Sequence, residues 1–193
     1  MKDKVTVLLG GSFHPMTGGH FDLINRYVID PTVNEIKIFV SQKIRGEISQ
    51  ETALTIILKL LENIPKVTIK EVEEYSPMIP IYEFIKVAPP GKYALASSTK
   101  EDDYKRVNKF VKYHSVGGKY FNDIPKGVKI IELSIDASPL NYYGRSDDFE
   151  NKPICASILR NDVINNDFEN FKTNYPGCTN EIINIIWNLL KKK

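Results

Sequence analysis

Thr17, Gly18, Gly19 and His20 stand together where an apolar run, residues 5–9, gives way to Phe21-Asp22-Leu23-Ile24. Just ahead of them lie Gly10, Gly11, Ser12, Phe13 and His14. Glycines at a strand-to-helix junction let backbone come close to a ligand without a Cβ in the way. The first N–H groups of a helix carry partial positive charge and lack intrahelical partners, which suits an anion. Thr17 and His20 add side-chain donors at the same place, so the chemistry this pattern fits is the binding of phosphate. Far along the chain, Ile154-Cys155-Ala156-Ser157-Ile158-Leu159-Arg160 repeats the theme. It offers another expected helix start with a hydroxyl and, one turn in, a cation. The two segments together suggest a nucleotide site built from both ends of one domain.

The elements that must position these residues follow from periodicity. Residues 4–10 are rich in Val and Leu without alternation, as expected of a strand buried on both faces of a parallel sheet. A helix from Gly18 or Gly19 to Val28 stops before Asp30-Pro31, because the residue before proline is pushed out of helical geometry. Residues 35–41 read as a second strand. Ser49 is a good N-cap for a helix over 50–63 that turns Leu54, Ile57, Leu58 and Leu61 to one face. A strand over 67–72, a helix over 81–87, a strand over 92–97 and a helix over 100–112 follow, then a fifth strand over 128–134. Residues 137–153, rich in Ser, Pro, Asn, Gly and Asp, read as a long loop of the kind that is often functional. Helices over 156–165 and 179–190 close the chain. Alternating strands and helices predict a doubly wound, Rossmann-like α/β fold: a five-stranded parallel sheet with C-terminal helices. Ligands of such sheets bind beyond the carboxyl ends of the strands, where the Gly10 to His20 turn begins.

The 193 residues suit one domain, 1–193, since domains usually run to roughly 100–200 residues. With 26 basic against 24 acidic residues the formal charge is +2, too little for a global field that would hold a nucleic acid. Cys155 and Cys178 have no metal-ligand spacing and make no disulfide framework. No long apolar segment suggests secretion or a membrane span. The expectation is a soluble, cytoplasmic protein with neither nucleic-acid nor membrane partners.

The pattern Gly-x-Phe-x-Pro-x-Thr-x-Gly-His at Gly11 to His20, joined to Ile-x-x-Ser-x-Leu-Arg at Ile154 to Arg160, resembles the nucleotidylyltransferase superfamily. Within it, the adenylyltransferases for nicotinamide mononucleotide and for phosphopantetheine are most similar. The resemblance implies a Rossmann-like fold and transfer of a nucleoside monophosphate to an acceptor phosphate, with pyrophosphate released and Mg²⁺ present alongside ATP. It implies that Thr17 and His20 contact the nucleotide phosphates, that Gly19 lets backbone approach them, and that Ser157 and Arg160 serve the β- and γ-phosphates. It places His14 where several relatives carry Asp or Asn, in reach of phosphate or acceptor. Lys43 falls after the second strand, where relatives often have a phosphate- or acceptor-steadying lysine. The usual second motif, Ile-Ser-Ser-Thr-x-Ile-Arg, has two hydroxyls that Cys155 and Ala156 replace here.

Phosphoryl transfer itself asks for alignment and charge neutralisation more than for a base, so Thr17, His20, Lys43 and Arg160 are the candidate catalytic set. Ser97, Ser98 and Lys100 follow the fourth strand, expected beside the first, and are candidates for acceptor or ribose contacts. A capped surface helix explains the same letters. No metal-binding residues are assigned. ATP is preferred over CTP because Pro15 matches the adenylyl-transferring members and an Arg-Thr-Glu-Gly-Ile-Ser stretch is lacking. Nicotinamide mononucleotide is the favoured acceptor on chain length and the closing Tyr175-Pro176-Gly177, with 4′-phosphopantetheine next. A nucleotide-binding regulator without turnover is the competing reading. Relatives are often oligomers, so the resemblance leaves a homo-oligomer open.

Overall fold

The computed structural model describes residues 4–42, 48–97, 101–133 and 155–191, with backbone alone at 101–103. The chain forms two compact units and passes repeatedly from one to the other: residues 1–11, 23–42 and 64–137 make the first, residues 12–22, 43–63 and 138–193 the second.

The first unit holds a five-stranded parallel sheet of β1 (Val5–Gly11), β2 (Val33–Ser41), β3 (Val67–Val72), β4 (Gly91–Leu95) and β5 (Val128–Ile131). The strands lie in the order β3-β2-β1-β4-β5. The order reverses at β1 and β4, which pair directly with Leu8 opposite Leu95. In the β1–β2 register Leu9 faces Ile38 and Gly10 faces Phe39. Because successive side chains point to opposite faces, Val5, Val7 and Leu9 share one face with Ile36, Ile38 and Val40, and Leu8 shares the other with Phe39. Both sets are buried. That double burial is why β1 reads as a nearly continuous apolar run rather than an alternating one. On the Leu8 face the core is completed by Ile81 and Ile85 of α3 (Met78–Lys86) and Val107 and Phe110 of α4 (Glu101–His114). Helix α1 (Gly18–Ile29) buries Leu23, Ile24 and Tyr27 and ends as the 30–31 proline junction demands.

The second unit gathers the helices α2 (Gln50–Leu61), α5 (Ala156–Ile164), α6 (Phe168–Thr173) and α7 (Asn180–Lys191). Its centre is aromatic: Trp187 meets Phe171 at 4.9 Å and Phe168 at 5.2 Å between ring centroids, both edge-on. Ser49 caps α2 by accepting from the Thr52 N–H at 3.1 Å, as its position in the sequence predicts.

The fold class matches the expectation, with local departures. Helix α2 buries Ile57 and Leu61 of the expected stripe together with Ala53, Ile56 and Leu60, but leaves Leu54 half-buried and Leu58 56% exposed. Apolar residues nearly encircle this helix, so periodicity alone selects no unique face, and its packing on α7 does. Helix α3 starts three residues earlier than expected. Pro80 falls within its first turn, where its missing N–H has no intrahelical partner to lose. The six-residue α6 is too short to show a period. β5 ends at Ile131, short of the expected 134. The expected long loop, 137–153, lies outside the described residues.

Candidate functional site

The turn that leaves β1 runs through Ser12 to Thr17 and delivers Thr17 as the cap of α1. The Thr17 carbonyl accepts from Phe21 at 3.1 Å, and its hydroxyl accepts from the His20 N–H at 3.4 Å. The same hydroxyl lies 2.8 Å from His20 Nδ1, and the Thr17 backbone N–H points to that nitrogen at 3.3 Å. A backbone N–H can only donate, so Nδ1 is the acceptor and the neutral imidazole carries its proton on Nε2. His20 is thereby fixed as a hydrogen-bond donor through Nε2 at the start of a helix. Phe13, buried and with a left-handed φ of 50°, sets its ring edge-on to the imidazole at 5.2 Å.

The glycines of this turn are there for different reasons. A Cβ on Gly10 would meet the Pro77 carbonyl at 2.7 Å, and one on Gly18 would meet the Asn174 carbonyl at 2.0 Å. Both are demanded by packing within the chain. Gly19 differs: its nearest neighbour would be Thr17 Oγ1 at an ordinary 3.6 Å, and its φ lies outside the range that favours glycine. Among the described residues nothing requires Gly19 to lack a side chain, which is what an approaching ligand would explain.

The second motif sits on α5, in the same unit as the turn. Cys155 occupies the N-cap, Ser157 is exposed in the first turn, and Arg160 lies one turn in. Arg160 Nη1 donates to the His14 carbonyl at 2.6 Å. Segments 146 residues apart in sequence thus meet at the turn, and a guanidinium with five N–H donors keeps others beyond that one bond. Cys155 Sγ lies 2.9 Å from Ser157 Oγ. Burial opposes ionisation of this thiol, but the Ser157 hydroxyl, the Ile158 and Ser157 N–H groups and the Arg160 charge outweigh it and hold its pKa below the ordinary value. Cys178 shows the opposite case, with burial pushing its thiol up to about 11. His14 is 2% exposed.

In the first unit Gly10 and Gly11 end β1, and Ser97 follows β4, so they belong to the carboxyl ends of the two strands where the sheet order reverses. Ser97 is 1% exposed. Its N–H donates to the Tyr27 hydroxyl at 3.1 Å, which in turn donates to the Leu133 carbonyl at 2.8 Å. Tyr27 is a residue that sequence reasoning passed over: a tyrosine on the buried stripe of a helix reads as core. Lys43, Ser98 and Lys100 lie outside the described residues. His114 is a satisfied structural histidine, 5% exposed, with Nδ1 at 2.7 Å from the Phe110 carbonyl and its ring stacked on Tyr82. Among the described residues no three His, Cys, Asp or Glu side chains are grouped as metal ligands, and no helix is long and apolar enough to cross a membrane.

No family model and no curated protein matches the sequence. Solved structures do match. The Plasmodium falciparum nicotinic acid mononucleotide adenylyltransferase complexed with NaAD superposes with a TM-score of 0.61 at 15% identity, covering 98% of both chains. The same enzyme complexed with APC gives 0.51 at 14% identity, again over 98% of both. This likeness establishes the fold. It agrees with the parallel sheet and its strand reversal, and it spans nearly the full length of both proteins.

Proposed function

We propose that this protein is an adenylyltransferase that moves AMP from MgATP to a phosphate-bearing acceptor. A phosphate oxygen of the acceptor attacks the α-phosphorus in line, the bond from that phosphorus to the bridging oxygen breaks, and pyrophosphate leaves. The observation that carries this reading is the 2.6 Å bond from Arg160 to the His14 carbonyl, which joins the turn and the second motif in one anion-directed set of donors. Within that set His20 Nε2 and the N–H groups at the start of α1 donate to phosphate oxygens. Ser157, the remaining Arg160 donors and the start of α5 serve the β- and γ-phosphates. Among the described residues no group of three His, Cys, Asp or Glu stands by to hold a metal, and the set itself consists of donors and a cation, which suits a metal that arrives on the triphosphate. Bound there, Mg²⁺ would offset negative charge on the phosphates. Lys43, Ser97, Ser98 and Lys100 are assigned to the acceptor, and their substitution should change acceptor dependence more than ATP dependence.

The whole-length likeness to a pyridine-mononucleotide enzyme supports nicotinamide or nicotinic acid mononucleotide as the first acceptors to test. The test is pyrophosphate release with Mg²⁺ and ATP or CTP against those acceptors, 4′-phosphopantetheine and flavin mononucleotide. Release with one acceptor, reduced roughly 10²–10³-fold in His20→Ala with its fold intact, is the expected result, since loss of one preorganised donor costs about that much. Undiminished turnover in His20→Ala would remove the assigned role. Cys155 and Ala156, in place of two hydroxyls, favour a second reading: a nucleotide-binding module without turnover, identified by tight ATP binding and no pyrophosphate.

A further inference from the structure

The 14–18 stretch of the turn is held from one side by the C-terminal segment of the same unit. Its carbonyls and amides are taken at every second residue. Arg160 donates to the His14 carbonyl at 2.6 Å, the Tyr175 hydroxyl donates to the Met16 carbonyl at 2.8 Å, and the Gly18 N–H donates to the Asn174 carbonyl at 3.1 Å. Gly18 cannot carry a Cβ because the Asn174 carbonyl is so close. Asn174 is itself fully buried and pinned, its Nδ2 lying 3.0 Å from Asp162 Oδ2 and 2.8 Å from the Asn170 carbonyl. Tyr175 is 1% exposed and Met16 0%, so their hydrogen bond is made away from water. An unmatched buried carbonyl is costly, which makes the Tyr175 hydroxyl more than a packing group.

We propose that Tyr175, with Asn174 bonded to Gly18, is a positioning residue for the nucleotide phosphates, acting by holding the 14–18 backbone so that Thr17, Gly19 and His20 keep their donors in place. This rests on the reading of the site as a nucleotide site. Tyr175 touches no ligand itself. Loss of its hydroxyl leaves the Met16 carbonyl unpaired, and the turn recovers that bond only by moving toward water. Donors aimed at phosphate are sensitive to such a shift, because a hydrogen bond weakens steeply with misalignment.

The test pairs Tyr175→Phe, which keeps the ring against Phe171 at 5.4 Å, with Trp187→Leu, which loosens the same helices without touching the three bonds. Amide hydrogen exchange over 12–22 and MgATP affinity are measured well below each melting midpoint. Tyr175→Phe should speed exchange in that turn and weaken MgATP binding, each roughly tenfold, as expected for one buried hydrogen bond lost. Trp187→Leu should lower the melting midpoint at least as much while MgATP affinity stays within about twofold of the parent. The proposal is overturned if exchange in the turn is unchanged in Tyr175→Phe. It is also overturned if the turn loosens and affinity holds, or if Trp187→Leu weakens MgATP equally. A parent protein that binds no MgATP would overturn the nucleotide reading, while exchange in the turn would still show whether Tyr175 holds it.

Discussion

Adjacent glycines, Gly18 and Gly19, should answer opposite questions when each is changed to alanine. On Gly18 the new Cβ would stand 2.0 Å from the Asn174 carbonyl, well inside the 3.0 Å below which real Cβ contacts essentially never fall, and that oxygen is backbone that cannot swing aside. The Gly18 N–H to Asn174 bond at 3.1 Å must break or stretch. A lost hydrogen bond costs about 1 kcal/mol and overpacking about 1–3 kcal/mol more, so Gly18→Ala should destabilise by roughly 2–4 kcal/mol. For a chain of 193 residues each kcal/mol moves the melting midpoint by about 2.5 °C, giving a fall of roughly 5–10 °C. Gly19→Ala faces nothing nearer than 3.6 Å among the described residues and removes a helical glycine, so its stability should hold or rise by up to about 1 kcal/mol. On the proposed reading the new methyl would nevertheless stand where phosphate approaches the helix start. Losing one charge-assisted hydrogen bond there, worth about 1.5–3 kcal/mol, should weaken MgATP binding by at least about tenfold. Thermal melts and titration calorimetry on the two variants suffice. A Gly19→Ala protein that melts at or above the parent midpoint and binds MgATP normally would refute the assignment of Gly19 to the ligand.

Other consequences can be checked with simple probes. With its pKa held down, Cys155 should be alkylated well before Cys178 at neutral pH, and MgATP should protect it; equal rates read by peptide mass spectrometry would contradict the geometry. His114 has its pKa lowered by burial, against smaller opposing effects of the Phe110 carbonyl and Asp123, so the unfolded chain binds its proton more readily than the folded one. Stability should therefore be complete above the unfolded value of 6.5 and fall as acid takes the pH below it. His114→Phe should flatten that part of the pH–stability curve, and an unchanged slope in denaturant melts would place the effect elsewhere.

β1 was legible because it is buried on both faces and so carries a nearly continuous apolar run, and β3, at the edge of the sheet with Thr68, Lys70 and Glu71 exposed, because its β-branched residues alternate with polar ones; β3 begins and ends at the residues that periodicity indicates. Ser49 and the proline junction after α1 were equally legible, since caps and proline act on their immediate neighbours. The buried face of α2 was not, because its apolar residues allow several stripes and only its neighbour chooses among them. The site shows the same division. Thr17, Gly19, His20 and Arg160 stand out as candidates by type and spacing. Tyr27, Asn174 and Tyr175 do not, because an aromatic or amide inside a helical stretch looks the same whether it fills a core or holds a distant carbonyl.

By itself, then, the sequence determined the order of the strands and, α6 apart, of the helices, the parallel sheet that this order requires, and the choice of two short segments as candidates for phosphate. All of these follow from local propensities and from backbone donors at helix starts. Only the tertiary structure decided that Arg160 would reach the His14 carbonyl. It alone distinguished a Gly18 required by packing from a Gly19 left open, and set Tyr175 to hold Met16. Those outcomes depend on which atoms come within 3 Å across some 150 residues of chain, a question that periodicity, which compares only near neighbours, does not address.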